Sequence, residues 1–360
     1  MMKGLILAGG LGTRLRPLSH TGPKQLIPIA NKPVLHYIIE DLKNSGITDI
    51  GIIVGYTEER IKHIVDSCGD GSKFGVKITY IKQDAPRGLA HAVYTAKEFL
   101  GGENFVVYLG DNIIGEGIKE YINSFKNSGF DAEILVGEVE NPSMYGIVAL
   151  NKKGVIIGIE EKPKNPKSSL AIVGVYLFKP FIFDIIKKTR LGKGGEFQLT
   201  DTLRLIYKSK RYKIKAHIVK GWWDDTGTAE AVLRANHLVL AKLKHRIEGK
   251  VEKNVSITGA VHIGKGTVIK SGTILKGPVI IGENCSIGPN SYIGPYTSIG
   301  DNTTMINSEI ESSIVLGSCK LDFNGKIVDS LIGKNVKILS RNKMPRGYKF
   351  ILGEHSEVNI

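Results

Sequence analysis

The hydrophobic pattern divides the chain into two parts with different periods. Up to about residue 220, short apolar runs such as residues 4–8 and 105–109 alternate with stretches of helical spacing such as residues 34–44. Strands that alternate with helices predict an α/β domain with a mainly parallel sheet covered on both faces. Ligands of such sheets bind at the carboxyl ends of the strands. We therefore expect a site where residues 9–14 and 110–112 each follow a strand.

After residue 254 an aliphatic side chain recurs every six residues. The positions are Ile257, Ile263, Ile269, Leu275, Ile281, Ile287, Ile293 and Ile299. This period predicts a left-handed parallel β-helix, in which each hexad forms one face of a triangular coil and the aliphatic side chain points inward. The spacing becomes irregular at Ile310, Ile314, Ile327, Leu331 and Val336, as in a terminal cap. We expect two domains, residues 1–245 and 246–360.

Composition and charge narrow the class of protein. Apolar residues make up 42% of the chain, and no run of about twenty of them occurs, so we expect neither a signal peptide nor a membrane span. Cys68, Cys285 and Cys319 lie far apart, which is typical of reduced cysteines in a cytoplasmic protein. The net charge of +14 comes from scattered Lys and Arg. We expect no nucleic-acid partner, whereas a triphosphate substrate would be attracted.

A glycine-rich loop follows the first predicted strand. Its residues are Gly9, Gly10, Leu11, Gly12, Thr13, Arg14, Leu15, Arg16 and Pro17. Glycines let main-chain N–H groups converge on phosphate oxygens. Arginines add charge-assisted contacts to the same oxygens, and Lys24 in the next loop would add another. The dinucleotide fingerprint needs Gly where Leu15 stands, and the P-loop needs Gly-Lys-Ser/Thr. A turn with glycines for steric reasons alone is the plainer alternative.

The loop resembles a family signature. It fits Gly-Gly-x-Gly-Thr-Arg-Leu-x-Pro followed by Pro-Lys (Pro23-Lys24), the pattern of the sugar-phosphate nucleotidyltransferases. Residues 1–240 resemble the glucose-1-phosphate thymidylyltransferases. The whole chain resembles the long form of that family, whose C-terminal part is similar to residues 345–348 and 352–356. The resemblance implies a Rossmann-like nucleotidyltransferase domain and Mg²⁺-dependent transfer from dTTP to glucose 1-phosphate, which yields dTDP-glucose and pyrophosphate.

The resemblance also implies the roles of individual residues. The nucleotide would be bound by Leu7, Gly9, Gly10, Gly12, Thr13, Arg14, Lys24, Gln25, Gln83, Gly88 and Asp111. The sugar phosphate would be bound by Asn112, Tyr145, Gly146, Glu161, Lys162, Ile172, Val173 and Trp223. Asp111 and Asp225 would hold Mg²⁺, with Asp225 preferred to Asp224 because it precedes Thr-Gly. Arg14, Lys24 and Lys162 would be catalytic.

Four positions bear on nucleotide choice or depart from the family pattern. Leu89 stands where guanylyl- and N-acetylglucosamine-type relatives tend to carry Thr, and Gln83 has an amide that can pair with a pyrimidine edge. His91 replaces the Gln of the short-form enzymes at a position that bears on nucleotide preference. Gly194 replaces an Arg that lies near the phosphate in those enzymes, and Lys193 is the candidate substitute.

Other functions stay open at this point. The enzyme could use UTP or another sugar phosphate, because the thymine methyl is worth only about 1–3 kcal/mol in a pocket. The β-helix could carry acetyltransferase activity, although only His262 lies in the regular repeats and His355 lies in the tail. An inactive regulatory subunit would have lost the signature cations and carboxylates, which this chain keeps. Hexapeptide coils often associate, so we expect a homo-oligomer formed through the β-helix.

Overall fold

The computed structural model describes residues 2–20, 22–55, 57–192 and 194–340. One compact unit ends at Val239 and a second begins at Leu240, a few residues before the predicted boundary. Four features named in the sequence analysis lie outside the described residues: Lys193, His355 and the segments 345–348 and 352–356. Within the described ranges, no helix is long and apolar enough to cross a membrane.

The first unit combines thirteen strands with eight helices in its described part. Its strands are β1 (Lys3–Leu7), β2 (Pro28–Ile29), β3 (Lys32–Pro33), β4 (Asp49–Val54), β5 (Lys77–Lys82), β6 (Phe105–Leu109), β7 (Asn112–Ile114), β8 (Ala132–Glu138), β9 (Gly146–Leu150), β10 (Ile156–Glu161), β11 (Leu170–Phe178), β12 (Ile214–Ile218) and β13 (Trp223–Asp225). Its helices are α1 (Val34–Asn44), α2 (Glu58–Cys68), α3 (Leu89–Thr95), α4 (Lys97–Leu100), α5 (Lys119–Asn127), α6 (Ile182–Ile186), α7 (Leu199–Ser209) and α8 (Ala229–Leu240), the last ending at the first residue of the second unit.

Nine of these strands form one mixed sheet, which confirms the predicted α/β fold. Its order is β10-β9-β11-β6-β1-β4-β5, with β8 beside β11 and β12 beside β8. Pairing is parallel from β6 through β1 and β4 to β5, and between β8 and β12. It is antiparallel where β11 joins β6, β8 and β9, a feature that the apolar pattern alone did not indicate.

Burial explains why the central strands are continuously apolar. Leu5 and Ile6 on β1, like Val106 and Val107 on β6, are fully buried, because helices cover both faces of a parallel sheet. The helix predicted over residues 34–44 has those bounds in the structure. Helices α3 and α4 follow each other directly and are separated only at Ala96. The carboxyl ends of β1 and β6 lie side by side, since Leu7 is opposite Leu109.

A partly buried carboxyl group links α1 to the segment that follows β7. Asp41 accepts hydrogen bonds from the Ile118 N–H at 3.0 Å and from the Tyr108 hydroxyl at 3.2 Å. Burial is the largest influence and raises the pKa of Asp41 to about 6, although both hydrogen bonds act in the opposite direction. Asp41 therefore contributes stability below its unfolded pKa near 4, and this contribution is lost as the pH rises through about 6.

Replacing Asp41 with Asn should remove this pH dependence. We expect the free energy of unfolding of Asp41→Asn, relative to the wild type, to rise by up to about 3 kcal/mol between pH 4 and pH 7, because the wild type alone must ionise a partly buried carboxyl group whose pKa is raised. Urea unfolding at several pH values in that range measures the difference. Asp66→Asn, at an exposed carboxylate, is the control, and parallel pH profiles for Asp41→Asn and the wild type would contradict the prediction.

The second unit stacks short strands into three parallel sheets. Its strands are β14 (Arg246–Ile247), β15 (Lys250–Val251), β16 (Ser256–Thr258), β17 (Val261–Ile263), β18 (Val268–Ile269), β19 (Ile274–Lys276), β20 (Val279–Ile281), β21 (Ser286–Ile287), β22 (Tyr292–Ile293), β23 (Thr297–Ile299), β24 (Thr304–Ile306), β25 (Glu309–Glu311), β26 (Ile314–Val315), β27 (Lys320–Asp322), β28 (Lys326–Val328), β29 (Leu331–Ile332) and β30 (Lys337–Leu339). Every third strand belongs to the same sheet, which confirms the predicted β-helix.

The six-residue period corresponds to the inward-facing positions of this β-helix. From Ile263 to Ile299 the aliphatic side chains are at most 1% exposed, whereas Ile257 in the first coil is only partly buried. Val261 lies opposite Val279, so one early coil spans three hexads. Ser298 lies opposite Ile314, which makes that coil two residues shorter. The irregular spacing after Ile299 therefore reflects shorter coils with a continuous core.

Candidate active site

The glycine-rich loop follows β1 and has one position that only glycine suits. Gly12 has a φ of +67°, in the left-handed region, and precedes a 3₁₀ turn at Thr13–Leu15. A Cβ atom there would lie 2.9 Å from the Cβ of Lys24. The close approach brings the loop against the segment that carries Lys24, so the two predicted phosphate-binding segments are in contact.

A cavity at the carboxyl ends of β1 and β6, here called cavity A, collects most of the residues predicted to bind a nucleotide. Eight of them line it: Leu7, Gly9, Gly10, Lys24, Gln25, Gln83, Gly88 and Asp111. Gly12, Thr13 and Arg14 do not line it, although they belong to the same loop. Gln25 is 1% exposed, and its Oε1 has no hydrogen-bond partner among the described residues. A buried acceptor of this kind in a cavity wall suits a ligand that donates to it.

Lys24, Asp111 and Asn112 form a connected group at the edge of cavity A. The Lys24 ammonium pairs with Asp111 Oδ2, and Asn112 Nδ2 donates to Asp111 Oδ1 at 2.9 Å. Burial favours a higher pKa for Asp111, but the Lys24 charge and these hydrogen bonds together hold the pKa below its usual value. Asn112 also accepts from the Gly174 N–H at 3.3 Å, which ties the group to β11. Asp111 is therefore an anion in a fixed orientation.

Asp225 lies close to Asp111 in an antiparallel pair of short strands. Asp225 on β13 is opposite Asn112 on β7, and the Thr226 N–H donates to the Asp111 carbonyl at 2.8 Å. Burial raises the pKa of Asp225, and the negative charge of Asp111 raises it further against the opposing effect of Arg14. Two neighbouring carboxylates that repel each other suit a divalent cation, and Mg²⁺ often uses one or two protein carboxylates.

The neighbouring carboxylate, Asp224, is engaged elsewhere. Arg234 on α8 donates to it from Nε at 2.6 Å and from Nη2 at 2.7 Å. Burial raises the pKa of Asp224, while this two-point contact with Arg234 opposes the shift. A bidentate pair of this kind is a structural anchor for β13. No cluster of three or more His, Cys, Asp or Glu side chains suited to a metal occurs in the described ranges.

Gln83 and Gly88 line cavity A, and Gln83 contacts His91 on α3. Gln83 Nε2 lies 3.2 Å from His91 Nδ1, and His91 Nε2 lies 3.7 Å from an Asp84 oxygen. A proton on His91 Nε2 suits this arrangement, so Nδ1 accepts from the Gln83 amide and the Gln83 carbonyl oxygen stays available. That oxygen would lie 3.2 Å from a Cβ on Gly9, at the cavity wall.

Gly88 and Phe197 hold two segments of the cavity wall together. Gly88 has a φ of +102°, and a Cβ there would lie 2.6 Å from the Phe197 carbonyl oxygen. The Phe197 N–H donates to the Arg87 carbonyl at 2.8 Å, and the Ala90 N–H donates to the Phe197 carbonyl at 3.0 Å. The start of α3 is therefore bonded to the segment just before α7.

The residues predicted to bind a sugar phosphate do not share one cavity. Tyr145, Trp223 and Asp225 line a second cavity, cavity B, and the Tyr145 hydroxyl donates to Asp225. Glu161 and Lys162 line a third, cavity C.

Four other residues predicted for the sugar phosphate line none of these three cavities. A Cβ on Gly146 would lie 3.1 Å from Glu161 Oε2, so this glycine lies beside cavity C. Asn112 is 4% exposed, Ile172 is 8% exposed and Val173 is fully buried, so the Asn112 side chain acts through Asp111 and Gly174. Any contact of Ile172 or Val173 with a ligand would be mainly through the main chain.

Sequence reasoning missed several residues of cavity A. They are Ile53, Pro86, Ala92, Leu109 and Glu196. The apolar members carried no chemical signal. Glu196 lies two residues after Gly194, where the chain departs from the family pattern. The Gln198 amide donates to Glu196 Oε2 at 3.1 Å. Its position in a cavity predicted to bind phosphates follows from the Gly88–Phe197 contact, which sequence spacing does not reveal.

His262, the histidine in the regular repeats of the β-helix, has no comparable set of neighbours among the described residues. His262 Nε2 lies 3.5 Å from Glu248 Oε2, while Glu248 Oε1 accepts from Arg246 at 2.7 Å. These groups are partly exposed, and Arg246 and Glu248 form a surface ion pair on the first coils. Such pairs are common on solvated surfaces and contribute little to stability.

The fold and this arrangement define a nucleotidyltransferase. Residues 3–242 match the family model described as "Nucleotidyl transferase", and residues 275–359 match the model described as "GMPPB C-terminal domain". The chain therefore belongs to the sugar-phosphate nucleotidyltransferases, and it carries a C-terminal β-helix domain.

Two known proteins are similar over the whole chain, and a solved structure is similar over about two thirds of it. "Low-salt glycan biosynthesis nucleotidyltransferase Agl11" of Haloferax volcanii is 45% identical over 100% of both chains. "Glucose-1-phosphate thymidylyltransferase" of Streptomyces antibioticus is 43% identical over 100% of this chain and 99% of that protein. The crystal structure of a putative glucose-1-phosphate thymidylyltransferase from Bacillus anthracis, in complex with a sucrose, has a TM-score of 0.62 and 39% identity, and covers 66% of this chain and 95% of that chain.

Proposed function

We propose that the protein transfers a thymidylyl group from dTTP to glucose 1-phosphate and releases pyrophosphate. The observation that carries this proposal is the convergence of Gly9 and Gly10 of the glycine-rich loop with Lys24, Gln83, Gly88 and Asp111 on cavity A. The whole-length similarity to a Streptomyces glucose-1-phosphate thymidylyltransferase supports the choice of substrates. The similarity to Agl11 supports the reaction class only, since its name states no substrate.

In this proposal cavity A holds the nucleotide. The carbonyl oxygen of Gln83, oriented by His91, accepts the N3–H of thymine, a proton that cytosine lacks. Leu89 and Pro86 supply apolar surface for the methyl group. Gln25 Oε1 accepts a hydrogen bond from the bound nucleotide, and the loop at residues 9–14 binds the triphosphate through main-chain N–H groups and Arg14.

The reaction needs positioning and charge stabilisation more than a protein nucleophile. A phosphate oxygen of glucose 1-phosphate attacks the α-phosphorus of dTTP, and the bond to the β-phosphate breaks, so pyrophosphate leaves. Lys24 and Lys162 bring positive charge to the phosphates, and Glu161 accepts hydrogen bonds from sugar hydroxyls. Mg²⁺, held by Asp111 and Asp225, would neutralise charge that develops around the α-phosphorus.

A direct assay tests the proposed substrates. We expect pyrophosphate release from glucose 1-phosphate to be fastest with dTTP when dTTP, UTP, GTP and ATP are compared at equal concentration. Because the methyl group contributes only about 1–3 kcal/mol, UTP should be used roughly 10- to 200-fold less efficiently. A preference for UTP or GTP would keep the mechanism and overturn the proposed base recognition, and turnover with none of the four would overturn the proposed activity.

The β-helix is proposed to have a structural role. The partly exposed contacts of His262 with Glu248 give no reason to assign acetyltransferase chemistry to the β-helix. Association of the coils into a homo-oligomer stays a prediction, as does a cytoplasmic location.

A further inference from the structure

A cation on a neighbouring helix holds the glycine-rich loop from outside cavity A. Arg60 lies on α2, which follows β4. Its Nη1 donates to the Leu11 carbonyl at 3.0 Å, and its Nη2 donates to the Ser19 carbonyl at 2.6 Å. One planar guanidinium therefore ties the beginning and the end of segment 11–19 to the body of the domain.

A buried hydroxyl extends this contact to the middle of the loop. Ser19 is 1% exposed, and its Oγ donates to the Gly12 carbonyl at 2.6 Å. The same carbonyl accepts the Leu15 N–H at 3.0 Å, which closes the 3₁₀ turn. The carbonyls of Leu11 and Gly12 are thus both engaged on the side of Arg60 and Ser19.

The direction of each carbonyl fixes the direction of the N–H group of the next residue. In a planar trans peptide the C=O of one residue and the N–H of the next point in opposite directions. A Leu11 carbonyl directed at Arg60 therefore turns the Gly12 N–H away from α2. A Gly12 carbonyl directed at Ser19 likewise turns the Thr13 N–H away from Ser19. Successive N–H groups around a left-handed residue and a helical neighbour, as at Gly12 and Thr13, form an anion-binding concavity.

We propose that Arg60 is a positioning residue for the triphosphate, acting through the loop and without contact with the substrate. It sets the direction of the Gly12 and Thr13 N–H groups before the nucleotide binds, so less ordering is required on binding. This inference rests on the proposed function, in which the loop binds the triphosphate. Sequence reasoning did not select Arg60, because forty residues separate it from Ser19.

The test compares three variants on helix α2 with the wild type. Arg60→Met removes both donors, Arg60→Lys replaces the planar fork with a point charge, and Lys62→Met is a matched control at an exposed position. We expect Arg60→Met to raise the KM for the nucleotide about 10- to 100-fold, because the two hydrogen bonds from the charged guanidinium to the loop are lost. The KM for the sugar 1-phosphate should stay within about twofold, because the loop is proposed to bind only the nucleotide. Arg60→Lys should fall between Arg60→Met and the wild type, and Lys62→Met should match the wild type.

The outcomes separate a positioning role from a structural one. An unchanged nucleotide KM in Arg60→Met would overturn the proposal, and so would an equal rise in both KM values together with a lowered melting temperature. If Arg60→Met does not fold, Arg60→Lys and Ser19→Ala carry the test, and both should raise the nucleotide KM alone, by several-fold. Binding of each Mg²⁺-nucleoside triphosphate to the wild type by calorimetry is measured first. No binding at all would overturn the proposed function and this role with it, whereas wild-type binding that the variants do not weaken would overturn only the role of Arg60.

Discussion

Replacing Asp111 with Asn is expected to lower turnover by about a thousandfold or more. The change keeps the size of the side chain but removes an anion that Lys24 and Asn112 hold in place beside Asp225. A metal ion at such a site stabilises transition-state charge by several kcal/mol, and each 1.36 kcal/mol corresponds to about a tenfold change in rate. Steady-state pyrophosphate release with saturating substrates measures the loss.

The adjacent aspartates provide the matched comparison. Mn²⁺ binding in the presence of nucleotide, followed by electron paramagnetic resonance, should weaken in Asp111→Asn and Asp225→Asn but not in Asp224→Asn. Asp224 is bound at two points by Arg234, so its replacement should lower stability rather than metal affinity. Weakened Mn²⁺ binding in Asp224→Asn with unchanged binding in Asp225→Asn would reverse the assignment of the two carboxylates.

Replacing Gly88 with Ala should lower kcat/KM for the nucleotide by about a hundredfold. The added Cβ would lie 2.6 Å from the Phe197 carbonyl, at a φ that disfavours side chains. The start of α3 and the Phe197 segment would have to separate, and this would move the wall of cavity A that includes Leu89 and Glu196. Displacements of about 1 Å can cost about a hundredfold in rate.

Gly102→Ala is the control for this glycine. Gly102 has no left-handed φ, and a Cβ there would meet no atom within 4 Å. Kinetics and thermal unfolding of the two variants should be compared. Nucleotide kinetics in Gly88→Ala that match those of Gly102→Ala would show that the wall around α3 does not form part of the binding site.

The organisation of the site was only partly accessible from the sequence. The loop at residues 9–14 and Asp111 could be placed in advance, because each directly follows an apolar strand and parallel strands end at the same edge. The choice between Asp224 and Asp225 rested on resemblance. In the structure, Arg234 engages Asp224 and leaves Asp225 near Asp111 and Tyr145.

By itself, the sequence determined the two architectures and the position of the glycine-rich loop. The two architectures are encoded by local, repeated patterns: an aliphatic residue every six positions for the β-helix, and apolar strands that alternate with helices for the α/β domain. The tertiary structure alone decided the antiparallel half of the sheet, the contact between Gly88 and Phe197, and the anchoring of the loop by Arg60. These features depend on partners that are distant along the chain, and only the folded packing determines which partners meet.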